Sequence, residues 1–364
     1  MKISVITVCY NSVTTIERTI KSVIAQDYEE LEYIIIDGAS TDGTRDIIEQ
    51  YRDEISIYVS EPDSGLYDAM NKGLERANGE VFAFLNSDDY YTDNVLKRVK
   101  GYFENSNADM VSGNMYVCEK GINTKAVYNK SKKENMFYQV VYPHPALFSK
   151  RELYKKYGGF DTSYKIAADS EWVMRVCFSG ANVLCVEDYF TYFSLGGLGS
   201  RKKYTALEEM YHIALKYVQW DKYAYMKKEV QEFYSVALKN LEKRERYRNA
   251  VENRMEDIRK LFDYSKGYYI WGIGKRGREC LQSFEKLELC IVGFIDSYAD
   301  IKEFNGYRVI KPADIDADNL ICITPEGYEA EIICGLRDKG IEEDRYFTYS
   351  DMVDSVARFG EIEK

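Results

Sequence analysis

Val81-Phe82-Ala83-Phe84-Leu85-Asn86-Ser87-Asp88-Asp89 is an apolar run that ends in two adjacent carboxylates. Such a run predicts a strand that is buried on both faces of a parallel sheet. Open α/β sheets bind their ligands at the carboxyl ends of these strands, which is where the two acids stand. Paired carboxylates repel each other and lose hydration there unless a cation accompanies them. The pattern favours a site for Mg²⁺ or Mn²⁺, and the alternative is a solvated Asp-Asp turn before the next helix.

Strands and helices alternate on both sides of this run. Apolar stretches predict strands at Ile3–Val8, Tyr33–Ile36 and Ile55–Val59, each followed by a segment with helical periodicity and a polar start. Further strands are predicted near Met110–Tyr116, after a helix at Asn94–Phe103. This order predicts an α/β fold with a mostly parallel sheet and helices on both of its faces.

The composition changes after this first part. The stretch from about Lys202 to Phe262 contains no Pro or Gly and has apolar residues at helical spacing, so it predicts one or more long helices. A second alternating unit begins at Tyr268–Ile270. We therefore predict three parts, namely a large α/β domain over 1–203, a helical bridge over 204–265 and a small Rossmann-like domain over 266–364.

Charge and cysteine usage exclude several classes of protein. The chain has 364 residues and a net charge of −11, which argues against a general nucleic-acid binder. Its eight cysteines lie singly and it has two histidines, so no zinc constellation is expected. The first residues already form a strand, and no apolar run is long enough to span a bilayer. We expect a cytoplasmic protein with reduced thiols.

Three more polar clusters follow predicted strands or open a helix. They are Thr7–Asn11, Asp37–Thr44 and Ile166–Trp172, the last of which has Asp169 at the start of an amphipathic helix. Each cluster alone is consistent with a simple turn or a helix cap. Their joint position at one edge of the sheet favours a shared crevice with Asp88 and Asp89.

The run from Met1 to about Gly199 resembles the nucleotide-sugar-dependent glycosyltransferases of family 2, which have the GT-A fold, and most closely their bacterial O-antigen and capsule branch. The matching motifs, in order, are Ser4–Asn11, Ile36–Thr44, Asp63–Gly73, Asn78–Glu80, Leu85–Asp89, His144–Phe148, Gly158–Asp161 and Ala168–Trp172. The resemblance implies an inverting enzyme that uses Mn²⁺ or Mg²⁺. It implies transfer of a hexose from a UDP-sugar to a surface-polysaccharide acceptor.

The resemblance also implies roles for individual residues. Asp169 would be the catalytic base, Asp89 the metal ligand, and Asp88 the residue that meets the ribose or diphosphate. Within the implied nucleotide-sugar pocket, Asp37 would accept a hydrogen bond from the uracil ring. The other residues implied for that pocket are Thr7, Tyr10, Asn11, Tyr67, Lys72, Asn86 and His144.

Two positions depart from the family pattern. Asn86 stands where the first acid of the usual Asp-x-Asp motif is found, which predicts weaker metal dependence. Gly38 replaces an acid that some members carry after Asp37, which predicts a changed nucleotide affinity. For His144, a core or loop histidine is an equally good interpretation. The glycine-rich segment Ser194–Ser200 resembles the family's mobile lid, with a flexible joint as the alternative.

The small domain carries a weaker signal of its own. Gly272, Gly274 and Gly277 follow a strand and open a helix, and Asp296 lies about 20 residues further on. This spacing predicts a possible second nucleotide site at these four residues. The domain lacks a second mononucleotide half, so a packing or assembly module is the alternative.

The resemblance implies several partners and leaves other functions open. The acceptor would be lipid-linked or a saccharide, and membrane contact would be peripheral, at the inner face of the cell membrane. The helical bridge is a candidate contact for a homodimer. A non-catalytic nucleotide-sugar-binding assembly or sensor protein is the main alternative, which the presence of Asp169 disfavours. A nucleotidyltransferase is disfavoured by the lack of an N-terminal Gly-rich, basic phosphate loop.

Overall fold

The computed structural model describes residues 1–119, 122–126, 133–316, 318–325 and 327–357. The chain divides into two compact units, Met1–Val236 and Ala237–Lys364, which are described separately below. The predicted three-part division at 203 and 265 stays a prediction, because compactness alone does not define independently folding domains.

A mixed sheet of nine strands forms the centre of the first unit. Its strands are β1 (Ile3–Cys9), β2 (Leu31–Asp37), β3 (Ile57–Ser60), β4 (Val81–Phe84), β5 (Tyr90–Tyr91), β6 (Met110–Glu119), β7 (Ile122–Ala126), β8 (Leu147–Lys150) and β9 (Val183–Ser194). The order is β3-β2-β1-β4-β8-β6-β9-β5, and β7 pairs with β6. The first four strands of this order are parallel, whereas β8 runs antiparallel to both of its neighbours.

Helices cover both faces of this sheet. The helices of this unit are α1 (Ile16–Ile24), α2 (Thr44–Glu49), α3 (Leu66–Arg76), α4 (Val95–Glu104), α5 (Arg151–Tyr157), α6 (Ala168–Phe178), α7 (Leu198–Arg201), α8 (Lys203–Val218) and the first part of α9 (Lys227–Asn253), which continues into the second unit. Of these helices, α8 and α9 lie in the Gly- and Pro-free stretch for which long helices were predicted. Within the described ranges, no helix is both long and apolar enough to cross a bilayer.

The central strands are buried on both faces. In β4, Val81 and Ala83 pack into one apolar core while Phe82 and Phe84 pack into the core on the opposite face. All seven residues of β1 are buried in the same way. Full burial of one such apolar side chain contributes about 1.5–3 kcal/mol. Polar side chains that must reach a ligand therefore stand at the ends of these strands.

The second unit contains a separate six-stranded sheet with the order β12-β13-β11-β10-β14-β15. Its strands are β10 (Gly267–Trp271), β11 (Cys290–Ile295), β12 (Glu303–Phe304), β13 (Tyr307–Ile310), β14 (Leu320–Ile323) and β15 (Tyr346–Thr348). Its further helices are α10 (Met255–Arg259), α11 (Lys275–Lys286), α12 (Glu329–Asp338) and α13 (Tyr349–Ala357). Only β12 is antiparallel to its neighbour, so the predicted second α/β part with its own sheet is confirmed.

Two glycines shape the turn between β10 and α11. Gly272 has a φ of +99°, a left-handed conformation that residues with a side chain rarely adopt. A Cβ on Gly277 would lie 1.9 Å from the Gly272 carbonyl oxygen, which is far inside contact distance. The helix therefore packs directly on the turn, and this close approach needs a glycine.

We predict opposite effects for the same substitution at two helical glycines of the second unit. Gly277→Ala should lower the free energy of unfolding by about 2 kcal/mol or more, because its new methyl group overlaps backbone. Gly335→Ala, in α12, meets no atom within 4 Å and should raise it by about 0.5–1 kcal/mol. Native-state hydrogen exchange of the β10 amides measures both effects in this unit. Equal effects of the two substitutions would contradict the packing of α11 on its turn.

Candidate active site

The turn after β4 holds two carboxylates in very different environments. Asp89 is fully buried, and its Oδ1 accepts a hydrogen bond of 2.9 Å from the Ser194 N–H at the end of β9. Its Oδ2 has no hydrogen-bond partner among the described residues. Burial, followed by the charge of Asp88, raises the pKa of the Asp89 carboxyl well above its ordinary value.

Asp88 is the accessible carboxylate of the pair. Its side chain is partly exposed, and burial raises its pKa while Arg18 and Arg201 oppose that shift. The resemblance assigned the metal to Asp89. In this structure Asp89 Oδ1 is bonded to the Ser194 N–H, and Asp88 is the carboxylate of the pair that keeps exposed surface.

Arg18 is a site residue that the sequence did not single out. It lies on α1, where its Nη2 donates to the Asp88 carbonyl oxygen at 2.8 Å and to Ser194 Oγ at 3.2 Å. Its guanidinium also stacks over the Tyr90 ring at 4.3 Å. The only sequence signal was a cation one turn into the helix that follows β1. Arg18 thus brings a positive charge to the acidic turn.

Asp37 joins the carboxyl ends of three parallel strands. It is fully buried at the end of β2, where its Oδ1 accepts from the Cys9 Sγ at 3.6 Å and from the Ser40 hydroxyl. Its Oδ2 accepts from the Ser40 N–H at 3.1 Å and from the Ser60 hydroxyl at 2.6 Å. A carboxylate has about four lone-pair directions, so all are used. The uracil contact that the resemblance implied for Asp37 therefore has no free acceptor in this arrangement.

The exposed wall beside Asp37 is formed by other residues. Thr7 has no exposed surface, and its Oγ1 accepts a hydrogen bond of 3.2 Å from the Tyr33 hydroxyl inside the sheet. Tyr10, in contrast, is 65% exposed. A Cβ on Gly38 would lie 2.5 Å from Asp63 Oδ2 and 3.3 Å from the Tyr10 ring. Asp63 thus occupies the space that an acidic side chain at position 38 would fill.

Two other residues implied for the pocket hold loops together. Asn11 has a φ of 49°, its Oδ1 accepts from the Thr41 N–H at 3.0 Å, and its own N–H donates to Ser40 Oγ at 2.8 Å. Lys72 forms an ion pair with Glu61 at 3.2 Å and donates to a loop carbonyl. Both side chains are therefore engaged within the protein.

Asp169 stands in the first turn of α6, partly exposed, and is held by a buried tyrosine. The Tyr67 hydroxyl lies 2.9 Å from Asp169 Oδ1 and 2.6 Å from the Ile166 carbonyl oxygen, so its single proton is shared between two acceptors. Burial and the charge of Asp169 raise the pKa of Tyr67 well above its ordinary value. Tyr67 therefore stays a hydrogen-bond donor to this carboxylate.

The loop that leads into α6 is fixed from α8. Both carboxylate oxygens of Glu209 accept backbone N–H groups, from Lys165 at 2.6 Å, Ile166 at 2.8 Å and Ala167 at 2.9 Å. These donors precede the first residue of α6, so the carboxylate holds the loop rather than the first turn of the helix. Sequence patterns gave no signal for this contact, which spans more than 40 residues. It fixes the turn that carries Asp169.

His144 lies behind the acidic turn and is nine-tenths buried. Its ring stacks on Phe84 at 5.2 Å, and its Nε2 has no hydrogen-bond partner among the described residues. Burial lowers the pKa of His144, against the opposing charge of Asp169, so the imidazole is neutral near pH 7. The buried Asn86 Oδ1 also lacks a partner. Buried polar atoms normally have a hydrogen-bond partner, so we expect a bound ligand to supply one for His144 Nε2 and Asn86 Oδ1.

The donor set fits a divalent ion that arrives with a phosphate ligand. Asp88 and Asn86 offer hard oxygen atoms, which Mg²⁺ and Mn²⁺ prefer. The described part of the chain contains no group of three or more His, Cys, Asp or Glu side chains placed to hold an ion. These residues therefore suit an ion whose coordination shell is mostly supplied by phosphate and water, rather than a resident structural metal.

The predicted second nucleotide site is a well-satisfied turn. Asp296 Oδ1 accepts the N–H groups of Tyr298 at 2.9 Å and Ala299 at 2.8 Å, and its Oδ2 lies 3.4 Å from the Ile273 nitrogen. Gly272 and Gly277 serve the close packing of α11, while Gly274 is exposed with open space beside it. Nucleotide binding at this turn stays a prediction.

The family model described as Glycosyl transferase family 2 matches residues 4–166. The glycosyltransferase Rv1514c of Mycobacterium tuberculosis is 32% identical over 214 residues, which are 56% of this chain and 79% of that protein. This chain is a family 2 glycosyltransferase. The predicted family and the predicted enzyme class are confirmed.

Two further likenesses concern pathway and fold. The family 2 glycosyltransferase is 42% identical over 123 residues to the putative teichuronic acid biosynthesis glycosyltransferase TuaG of Bacillus subtilis, over 33% of this chain and 49% of TuaG. Its structure matches S. aureus TarS 1-349 in complex with UDP with a TM-score of 0.53 and 25% identity, over 64% of this chain and 70% of that one. The predicted GT-A fold is confirmed.

The second unit of the glycosyltransferase has its own family match. Residues 265–347 match the family described as C2185-like, N-terminal. The match coincides with the sheet of the second unit, from β10 to β15. That description names no ligand, so the function of this part stays open to proposal.

We predict that Asp89→Asn changes how the stability of the glycosyltransferase depends on pH. A carboxyl with a raised folded-state pKa binds its proton more tightly when folded, so stability falls as pH rises above the unfolded value of about 3.9. Asparagine stays neutral and still offers Ser194 an acceptor oxygen. The midpoint of thermal unfolding of the variant, minus that of the wild type, should therefore increase between about pH 4 and pH 7.

Asp93→Asn is the matched control, because Asp93 is exposed and close in sequence. Its difference from the wild type should stay nearly constant over the same pH range. If the difference in unfolding midpoint between Asp89→Asn and the wild type were also constant over this pH range, the Asp89 carboxyl would not be buried as described.

Proposed function

We propose that the protein is an inverting, metal-dependent hexosyltransferase that moves a sugar from a UDP-sugar to a surface-polysaccharide acceptor. The observation that carries the proposal is the pair of accessible carboxylates, Asp88 after β4 and Asp169 at the start of α6. The fold likeness to TarS in complex with UDP supports the donor class. The likeness to TuaG supports an acceptor in polysaccharide synthesis.

Asp88, Asn86 and Arg18 form the diphosphate side of the proposed site. Asp88, with the Asn86 amide oxygen, would hold the Mn²⁺ or Mg²⁺ ion. When bound, such an ion acts as a Lewis acid that neutralises charge on the departing diphosphate. Arg18 adds a fixed positive charge beside the same turn, where it donates to the Asp88 carbonyl oxygen.

The nucleoside side is proposed to be bounded by Tyr10 and Asp63. Tyr10 offers an exposed ring on which a base can stack, and Asp63 offers a carboxylate above Gly38. Asp37 supports this wall from below, because its hydrogen bonds fix the ends of β1, β2 and β3. Uracil recognition would thus depend on Asp63 rather than on direct contact with Asp37.

Asp169 is proposed as the general base. An acceptor hydroxyl is a weak nucleophile, so a carboxylate within hydrogen-bond reach must take its proton during attack. The acceptor oxygen forms a bond to the anomeric carbon while the bond to the diphosphate oxygen breaks, and the proton passes to Asp169. Attack opposite the leaving group inverts the anomeric centre. The hydrogen bond from the Tyr67 hydroxyl holds this carboxylate in place at the start of α6.

The acceptor and the environment of the enzyme are proposals from resemblance. They comprise a lipid-linked or free saccharide acceptor, a cytoplasmic location, peripheral contact with the inner face of the cell membrane, and a homodimer. His144, with its unpartnered Nε2, is proposed to meet a sugar hydroxyl beside Asp169.

Asp88→Asn and Asp169→Asn should both slow hydrolysis of a UDP-sugar, but for different reasons. Asp169→Asn should lower kcat by roughly 10²–10⁴-fold while UDP binding persists, because only the base is lost. Asp88→Asn should weaken Mn²⁺-dependent UDP binding by about tenfold or more. UDP release from a panel of UDP-sugars, together with calorimetric UDP titration, measures both effects.

Asp93→Asn serves again as the exposed control and should behave as the wild type. Wild-type turnover by Asp169→Asn would remove Asp169 from the base position. Unchanged metal-dependent UDP binding by Asp88→Asn would place the ion elsewhere.

Tyr67→Phe tests the positioning of the base. Loss of the hydroxyl should lower kcat about tenfold and leave the donor KM unchanged. Tyr58→Phe is the matched control, since the Tyr58 hydroxyl is buried but has no hydrogen-bond partner among the described residues. A raised donor KM with an unchanged kcat in Tyr67→Phe would argue against a role in positioning the base.

A further inference from the structure

The second unit contains a cavity that lies outside the predicted glycine-turn site. It has a volume of about 550 Å³ and is enclosed by the C-terminal half of α9, one face of α11 and the start of α13. Gly272, Gly274, Gly277 and Asp296 do not line it. Its volume falls within the range of about 300–1,000 Å³ that is typical of small-molecule sites.

The lining of this cavity is strongly basic. Its cations are Lys243, Arg244, Arg248, Arg276 and Lys286, and its one acid is Glu279. The chain as a whole has a net charge of −11, so this cluster of basic side chains contrasts with its acidic composition. A cleft that is lined by charges of one sign raises the local concentration of ions of the opposite charge.

Only part of this charge is balanced within the described residues. Lys243 pairs with Asp354 at 2.6 Å and Arg248 pairs with Glu245 at 2.9 Å, both from outside the lining. Arg244 and Lys286 are exposed and have no ion pair or hydrogen bond with any described residue. These two cations, on α9 and α11, are therefore available to a ligand.

The polarity of the helix faces that line the cavity also differs from that of ordinary helix packing. Arg276, Glu279, Ser283 and Lys286 recur along one face of α11, and Arg244, Arg248 and Val251 recur along α9. Helix faces that meet across a core are normally apolar. Here polar and charged faces border a shared space, which fits an aqueous binding site better than a poorly filled core.

The lining of the cavity includes a buried hydroxyl. Tyr247 lines the cavity from α9, and its hydroxyl oxygen is buried without a hydrogen-bond partner among the described residues. The nearby Ser283 hydroxyl donates to the Glu279 carbonyl oxygen at 2.9 Å. An anionic oxygen in the cavity would accept a hydrogen bond from the Tyr247 hydroxyl and so satisfy it.

We propose that this cavity binds a phosphate-bearing small molecule through Arg244, Arg248, Lys286 and the Tyr247 hydroxyl. Phosphate oxygens accept charge-assisted hydrogen bonds from guanidinium and ammonium groups and a neutral one from the hydroxyl. The same chemistry occurs in a soluble diphosphate and in an anionic lipid headgroup. The concave shape and the volume favour the soluble ligand. The site is separate from the donor site and does not depend on glycosyl transfer.

Calorimetric titration of the full chain with pyrophosphate, in buffer with EDTA, tests the proposal. EDTA removes the ion on which the proposed donor site depends, so the remaining binding reports the cavity. The double variant Arg244→Glu/Lys286→Glu should bind at least about tenfold more weakly than the wild type. Tyr247→Phe should weaken binding less than the double variant does. It changes neither the charge nor the shape of the cavity lining appreciably, so it is a second, milder test.

Lys275→Glu is the matched control, because Lys275 is an exposed cation at the start of α11 that does not line the cavity. It should bind pyrophosphate as the wild type does. Loss of binding in Lys275→Glu alone would place the anion at the glycine turn and overturn the proposal. Equal binding by the wild type and the double variant would overturn it as well.

Two further experiments show whether the bound phosphate belongs to a soluble molecule or to a lipid headgroup. UDP is titrated under the same conditions, and sedimentation is measured with phosphatidylcholine vesicles that contain or lack phosphatidylglycerol. Binding that is confined to the anionic vesicles and lost in the double variant would support the same anion site with a lipid headgroup as its ligand. Absence of binding to pyrophosphate, UDP and anionic vesicles alike would refute an anion site.

Discussion

The burial of both faces of β1, β2 and β4 is the constraint on which the rest of this structure depends. Their side chains alternate between two apolar cores, so none of them is available to a ligand. Polar chemistry is therefore confined to the turns at the carboxyl ends of these parallel strands. The same constraint gathers residues far apart in sequence, such as Tyr10, Asp63 and Asp88, along one edge of the sheet.

Within that edge, burial assigns different roles to neighbouring acids. Asp37 and Asp89 are fully buried and accept hydrogen bonds that join separate strands, whereas Asp88 and Asp169 keep accessible surface. The buried pair stabilises the geometry in which the accessible pair can act. The bond between Asp89 and Ser194 also attaches the start of the glycine-rich segment to the acidic turn.

Apolar runs and turn signals predicted β1 to β4, β6 and the edge that carries the site, but not β9 or the antiparallel strand β8 that makes the sheet mixed. They could not predict which of two adjacent carboxylates faces inward, because that depends on Ser194, more than 100 residues away. The saturation of Asp37 and the Glu209 contacts with the loop before Asp169 are likewise long-range contacts with no local pattern. The basic cavity escaped prediction for the same reason, since three helices contribute its lining.

The central claim is that Asp88, rather than Asp89, presents the carboxylate to the ion and diphosphate of the donor. Anomalous diffraction at the manganese edge, from crystals grown with UDP and Mn²⁺, tests it most directly. The account predicts a manganese peak beside the Asp88 carboxylate and the UDP phosphates, with Asp89 still bonded to the Ser194 N–H. A peak at Asp89 with that bond broken, or UDP bound away from this edge of the sheet, would contradict it.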